Sequence, residues 1–401
     1  MGASAGQRSD GASARYAALD GWRGLCALMV ALAHVDMLGH FFAWPLVRNG
    51  HFWVDFFFVL SGFVIAHAYG DTLTTRSDVL RYAIRRFGRL WPLHVVMLAV
   101  FVLAEGGLSL VQAFGLKLAN RPPFTDPNTP SAIISNVLLI HALGVHDQPT
   151  WNLPSWSIST ELYVNFLFGV MAVVLGRRLL VGALIACAGS LLVLGLYSPH
   201  YIKTVVGLAV ARCILGFFAG YLAYRIWQAS ARLRLPWPTV AEVGTALGVG
   251  VFVSLAGSGP YSLLAPLVFL AAVWVFAFEA GPLSRLLKTR PLQFIGELSY
   301  SIYMVHLIIV VGIAIAAKLL VRVTGVNVFV DVTLAEASQK VISFGHPLLM
   351  DLMALIYLGV VIGVSALTYR YVEIPARRYF NGLSNRFGGG RRTAPTNERL
   401  A

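Results

Sequence analysis

Residues 20–35 read DGWRGLCALMVALAHV, and the way this run is read decides the fold. It is apolar enough for the middle of a bilayer, yet Arg23 stands near its start and His34 near its end. On a helix, eleven residues turn through roughly 1100°, so the two side chains share one face within about 20° and lie roughly 16 Å apart along the axis. An ionisable group inside a membrane helix is costly and marks function by default. Two on one stripe need a shared polar environment.

Composition takes the same reading to the whole chain. Its 401 residues are 57% hydrophobic and only 12% charged, with mean hydropathy +0.72. A soluble domain carries about twice that charged fraction, so the fold class is all-α, a polytopic membrane protein. The net charge of +13 does not point to nucleic acid, because the basic residues fall between apolar runs in the manner of membrane topology. Cys26, Cys187 and Cys213 lie inside apolar runs and make no disulfide framework. The polar N-terminal residues lack the pattern of a signal peptide.

A crossing helix needs about 20 apolar residues. Ten segments qualify: 22–42, 51–69, 88–105, 158–175, 179–196, 203–225, 239–256, 261–280, 297–319 and 350–372. With the N-terminus in the cytoplasm, 22 of the 31 Lys and Arg lie on the cytoplasmic side and seven opposite, while Arg23 and Arg212 fall within spans. That bias supports about ten spans with both termini cytoplasmic. The expected organisation is a cytoplasmic tail over 1–18, a transmembrane domain over 19–380 and a basic cytoplasmic tail over 381–401. The run 131–144 is too short to cross and reads as a re-entrant or interfacial helix. Two long segments, 106–157 and 320–349, fall outside, and DVTLAEASQKVISFGH in the second is expected to form a short amphipathic helix.

The polar residues then sort by depth. RYAIRRFGRLWP puts Arg81, Arg85, Arg86 and Arg89 at the cytoplasmic mouth of the third span, with Arg86 and Arg89 on one face at i, i+3. Guanidinium forks suit phosphate. His34, deeper in, suits proton abstraction from a hydroxyl. Glu161 opens the fourth span near the outer interface, where it could orient His34 or the acceptor, and Glu373 lies just inside. Plainer roles exist for each: topogenic charge for the arginines, helix–helix bonding for His67 and His306, an arginine partner for Asp55, and interfacial anchoring for Trp151 and Trp156.

Six motifs in order, LDGWRGLCALMVALAHV, FWVDFFFVLSGFVI, RRFGRLWP, PSWSISTELY, ELSYSIYMVH and YRYVEIPARR, span 19–378. Together they resemble the acyltransferase family 3 membrane proteins. The resemblance implies transfer of an acyl group, commonly acetyl, from cytoplasmic acyl-CoA to a hydroxyl of a carbohydrate-type acceptor such as a polysaccharide or lipid-linked glycan, in the inner membrane of a bacterium. The family's arginine–histidine pair falls on Arg23 and His34, its R-x-x-R on Arg86 and Arg89, and its W-S-x-x-x-E on Trp156, Ser157 and Glu161. The catalytic group expected is His34, Glu161 and Arg23. The binding group is Arg86, Arg89, Asp20, Asp55, Trp156, Ser157, Tyr303 and His306, with acyl-CoA as co-substrate and no metal. Where the family often has a second acidic residue after the glutamate, this chain has Leu162, Val164 and Asn165. Homo-oligomerisation is left open. The rival from another class is a transporter or flippase of a sugar-lipid or anionic metabolite, although no second copy of the first-half motifs supports inverted repeats.

Overall fold

Local signals set where each helix begins and ends, and several differ from the apolar boundaries. In the computed structural model, which describes residues 16–116, 118, 121–334 and 337–387, α1 runs Ala17–Ala33 and stops at His34. The chain then turns through two single-turn helices, α2 (His40–Ala43) and α3 (Pro45–Arg48), before α4 (His51–Tyr69). The first segment is therefore shorter than the expected 22–42. The third is longer: α5 covers Arg76–Ala113, roughly 57 Å at 1.5 Å per residue. A capping box starts it, with the Asp78 amide donating to Thr75 Oγ1 and the Thr75 amide to Asp78 Oδ2.

Residues 130–145 do not cross. They form α6 (Pro130–Val137) and a π-type turn at His141–Val145. Helices α7 (Trp156–Leu175) and α8 (Leu179–Tyr197) follow as a hairpin closed by Gly176–Arg178. Then come α9 (Ala209–Ser230), α10 (Pro238–Leu255), α11 (Ala265–Phe276), α12 (Pro282–Leu287) and α13 (Arg290–Thr324), the last roughly 52 Å long. The amphipathic helix expected in 331–346 is instead an antiparallel hairpin of β1 (Phe329–Leu334) and β2 (Ala337–Ile342). Its FVDVTL run is rich in β-branched residues that alternate with polar ones, a strand period. The hairpin is sewn to the residues after His34: the Ile342 amide donates to Asp36 O and the Leu38 amide to Ile342 O. Helix α14 (Pro347–Thr368) passes through a π-type turn at Tyr369–Glu373 into α15 (Ile374–Arg386).

Seven helical stretches among the described residues are long and apolar enough to cross a membrane, one of them, Leu153–Tyr197, holding both α7 and α8. The α1 segment and Pro260–Phe276 are shorter. The first described helix starts at Ala17 and the last ends at Arg386; the outer parts of the two tails lie outside the described residues.

Small residues let the helices touch backbone to backbone, as membrane packing requires. A Cβ on Gly62 of α4 would fall on the Phe217 carbonyl of α9, and one on Gly220 would fall on the Val59 carbonyl. On the other side, a Cβ on Gly24 of α1 would lie 2.7 Å from the Gly296 nitrogen of α13. The α1–α13 contact is parallel: Arg23 reaches Ser299 and His34 reaches His306. The α4–α9 contact is parallel too, with Asp55 on Arg212 and Phe63 on Tyr224.

Candidate active site

Helices α1, α4, α5, α7 and α13 enclose a cavity of about 710 Å³, counting its open mouth. Its polar wall is Arg23, Arg86, Arg89, Glu161, Ser157 and Tyr303, with Ser61 and Ser299 between them; Phe57, Val64 and Ile65 supply apolar surface. Three guanidiniums thus face one carboxylate, and an anion is the ligand such a wall favours.

Each charge is held by its neighbours. Arg23 Nη2 pairs with Asp20 Oδ1 at 2.8 Å and its Nε donates to Ser299 Oγ at 3.1 Å. Asp20 therefore serves to aim Arg23 and does not line the cavity. Arg86 begins about 15 Å into α5 and is only 5% exposed. Its Nη2 reaches Glu161 Oε1 at 3.4 Å, and the same oxygen accepts from Ser61 Oγ at 2.7 Å. Arg86 Nε is buried with no partner among the described residues. Arg89, one turn on, lies in the field of Arg377, Arg23, Arg86 and Glu373. Ser157 and Tyr303 share a 2.8 Å bond between hydroxyls, and Tyr303 donates to Pro154 O at 2.9 Å.

Several expectations change here. Glu161, on the second turn of α7, faces Arg86 inside the bundle. It does not orient His34, whose Nδ1 bonds its own helix at Val30 O, 2.8 Å away. The four arginines expected together split by helix face. Arg81 pairs with Asp78 and Arg85 Nε donates to Ser384 Oγ of α15 at 2.9 Å, leaving Arg86 and Arg89 to the cavity. Asp55 and Trp156, expected to bind substrate, are absorbed by packing. Arg212 grips Asp55 through two 2.8 Å bonds, both side chains fully buried, and its guanidinium lies 5.0 Å from the centre of the Trp156 ring. Asn165, where the family often has a second acid, accepts from Tyr82 Oη at 2.8 Å.

His34 does not line the cavity either. It lies at the end of α1, about 25 Å from the helix start, and meets His306 at the same depth on α13, ring centres 4.9 Å apart. Tyr303, on the cavity wall, is one helical turn before His306, with ring centres 6.0 Å apart. Tyr303 thus stands between the arginines and the histidine pair. Ser61 and Ser299 were missed as positions of interest, and Arg212 was noted only as a charge within a span; its partner is the aspartate of α4, five helices earlier. No group of three or more His, Cys, Asp or Glu placed to hold a metal occurs among the described residues.

The chain is 31% identical to "Protein 2 in picA locus" of Rhizobium radiobacter over 38% of its own length and 81% of that protein. It is 26% identical to Acyltransferase MdmB of Streptomyces mycarofaciens over 74% of its length and 79% of that protein's. With the Peptidoglycan O-acetyltransferase OatA of Listeria monocytogenes it shares 24% identity over 92% of its length, spanning 57% of OatA. No solved structure matches it. The family model for the Acyltransferase domain matches residues 16–370, from the residue before α1 into the turn after α14, and the chain accordingly belongs to the acyltransferase 3 family.

Proposed function

We propose that the protein is an O-acyltransferase that moves an acyl group, acetyl in the simplest case, from cytoplasmic acyl-CoA to a hydroxyl of a carbohydrate-type acceptor on the far side of an inner membrane. The observation that carries this is the arginine-walled cavity ending at Tyr303, with the imidazoles of His34 and His306 one turn beyond. Arg23, Arg86 and Arg89 hold the CoA phosphates, which a fork of guanidinium N–H groups suits better than a single ammonium. The thioester extends past Phe57 and Tyr303 toward His34. His34 Nδ1 faces a carbonyl, which can only accept, so that nitrogen carries the proton and Nε2 is the basic atom. Nε2 takes the acceptor's hydroxyl proton as the oxygen attacks the thioester carbon.

Ten crossings with both termini cytoplasmic fit the parallel contacts of the first with the ninth segment and the second with the sixth. They also fit the excess of Lys and Arg on that side. OatA is described as acting on peptidoglycan, which favours a surface glycan as the acceptor.

Purified protein in nanodiscs with radiolabelled acetyl-CoA and an envelope-glycan extract tests the reading. Wild type should bind acetyl-CoA saturably and release CoA as label enters glycan. His34→Ala should keep the binding and lose about 10²–10⁴ in turnover, the usual worth of a general base. Turnover by His34→Ala near the wild-type rate removes His34 from the chemistry, and folded wild type that neither binds nor transfers overturns the proposal.

A further inference from the structure

His306 is fully buried on α13, and its Nδ1 bonds Ile302 O at 3.1 Å. As with His34, the carbonyl fixes the proton on Nδ1 and leaves Nε2 as a lone pair. His306 Nε2 has no partner among the described residues. A buried acceptor left unsatisfied is costly, so the site tolerates it for a reason or gains a donor later. The two rings lie with centres 4.9 Å apart and make no hydrogen bond to each other, and as neutral imidazoles with Nε2 lone pairs they have no reason to close on one another. One added proton changes that, since an imidazolium N–H on one ring can be shared with the other. The pair is one proton short of being satisfied, and a transfer reaction that takes a proton from a hydroxyl supplies it.

We infer that His306 is the positioning partner of His34, sharing the proton that His34 takes from the acceptor hydroxyl. In the step, the acceptor O–H breaks with its proton passing to His34 Nε2. The new C–O bond forms at the thioester carbon, the C–S bond breaks, and the shared proton leaves with the CoA sulfur as thiol. The inference rests on the acyltransferase reading and adds to it a second imidazole that strengthens the base. The other buried pair, His94 and His141, also carries orphaned Nδ1 atoms, but its rings stack parallel at 5.6 Å and neither lines the cavity.

The groups facing the pair are few. Tyr303 lies on the same helix. From the α1 side Asp36 follows two residues after His34 and accepts from Gln339. Helix α7 offers Glu161 and helices α4 and α9 the Asp55–Arg212 ion pair, all in the field of Tyr303. Helix α14 presents the Tyr357 hydroxyl, which donates to Ala31 O.

The test compares wild type, His306→Gln and His306→Leu in nanodiscs, following transfer from acetyl-CoA to the glycan extract across pH. Leu removes the acceptor; Gln keeps an acceptor oxygen of low basicity. Loss of the shared proton makes His34 a weaker base. In His306→Leu the acidic limb of kcat should therefore move to lower pH and kcat should fall roughly tenfold or more, with KM for acetyl-CoA unchanged because the arginine wall is untouched. His306→Gln should lie between, and carries the test alone if the leucine variant does not fold. Variants within about threefold of wild type with an unmoved limb, or a limb that moves to higher pH, overturn the inference while leaving the acyltransferase reading standing. A wild type that binds acetyl-CoA and transfers nothing overturns both.

Discussion

Replacing Asp55 separates a structural from a ligand-binding role more cleanly than any other single change. Asp55 and Arg212 are both fully buried, joined by two 2.8 Å bonds, and Arg212 spends its remaining donors on Thr204 O at 3.0 Å and His51 O at 2.7 Å. Breaking such a pair by removing one partner leaves a buried charge uncompensated, at about 3–5 kcal/mol. Asp55→Ala should lie at the upper end, since Arg212 is left with two carbonyls and the Trp156 ring. Asp55→Asn keeps one acceptor and should cost less. The double change Asp55→Ala with Arg212→Met removes both charges and should recover part of the loss, because a buried pair replaced by apolar groups is often near neutral. Thermal unfolding in detergent, followed by loss of the monodisperse peak, reads all four proteins. If Asp55→Ala unfolds at the wild-type temperature and instead raises KM for the acceptor, the aspartate binds substrate and the packing account is wrong.

Two further changes probe the packing and the cavity. Gly220→Ala places a methyl on the Val59 carbonyl, so α4 and α9 must part, at about 1–3 kcal/mol of overpacking; unchanged thermal stability would mean the helices cross more loosely than described. Arg86→Ala removes a donor from the cavity wall and leaves Glu161 with Ser61 alone; hydrogen bonds to charged groups are worth about 1.5–3 kcal/mol, so KM for acetyl-CoA should rise roughly tenfold to a hundredfold, and an unmoved KM would take Arg86 out of the donor site.

Much of the fold was legible because long apolar runs and their flanking charges are forced by the bilayer. What the sequence hid was whatever depends on rotation or on a partner distant in the chain. Arg81, Arg85, Arg86 and Arg89 look alike in RYAIRRFGRLWP, but 100° per residue sends Arg85 to Ser384 and Arg86 to Glu161. The Arg23–His34 stripe was readable, since eleven residues return to one face, yet that same geometry carries His34 beyond the cavity to His306, 272 positions later in the chain. Glu161 follows the start of α7 by five residues, and its partner Arg86 on α5 could not be read from that position. An arginine partner was among the roles read for Asp55, but no local pattern says that it is Arg212, 157 residues on, or that Trp156 lies against the same guanidinium.

Some buried charges are answered within the fold, and two buried polar atoms near the cavity are not. Asp55 has Arg212, Asp20 has Arg23, and Glu242 of α10 accepts from the Gly281 and Ser284 amides at the start of α12. Each of these buried charges is answered within the fold, as a dry interior demands. Arg86 Nε and His306 Nε2 are not, and they lie on either side of Tyr303: one offers a donor in the cavity, the other an acceptor beyond it. An anionic ligand at the first and a proton from a hydroxyl at the second would each supply the missing partner. A carrier that only passed its cargo would have to release it from both places without leaving anything behind. A transfer reaction meets the two needs separately, the donor's phosphates staying with the arginines while the proton moves to the imidazoles. On that division of labour, losing Arg86 should change donor affinity and losing His306 should change turnover, and a variant of either that altered both equally would mean that the two places act as one site.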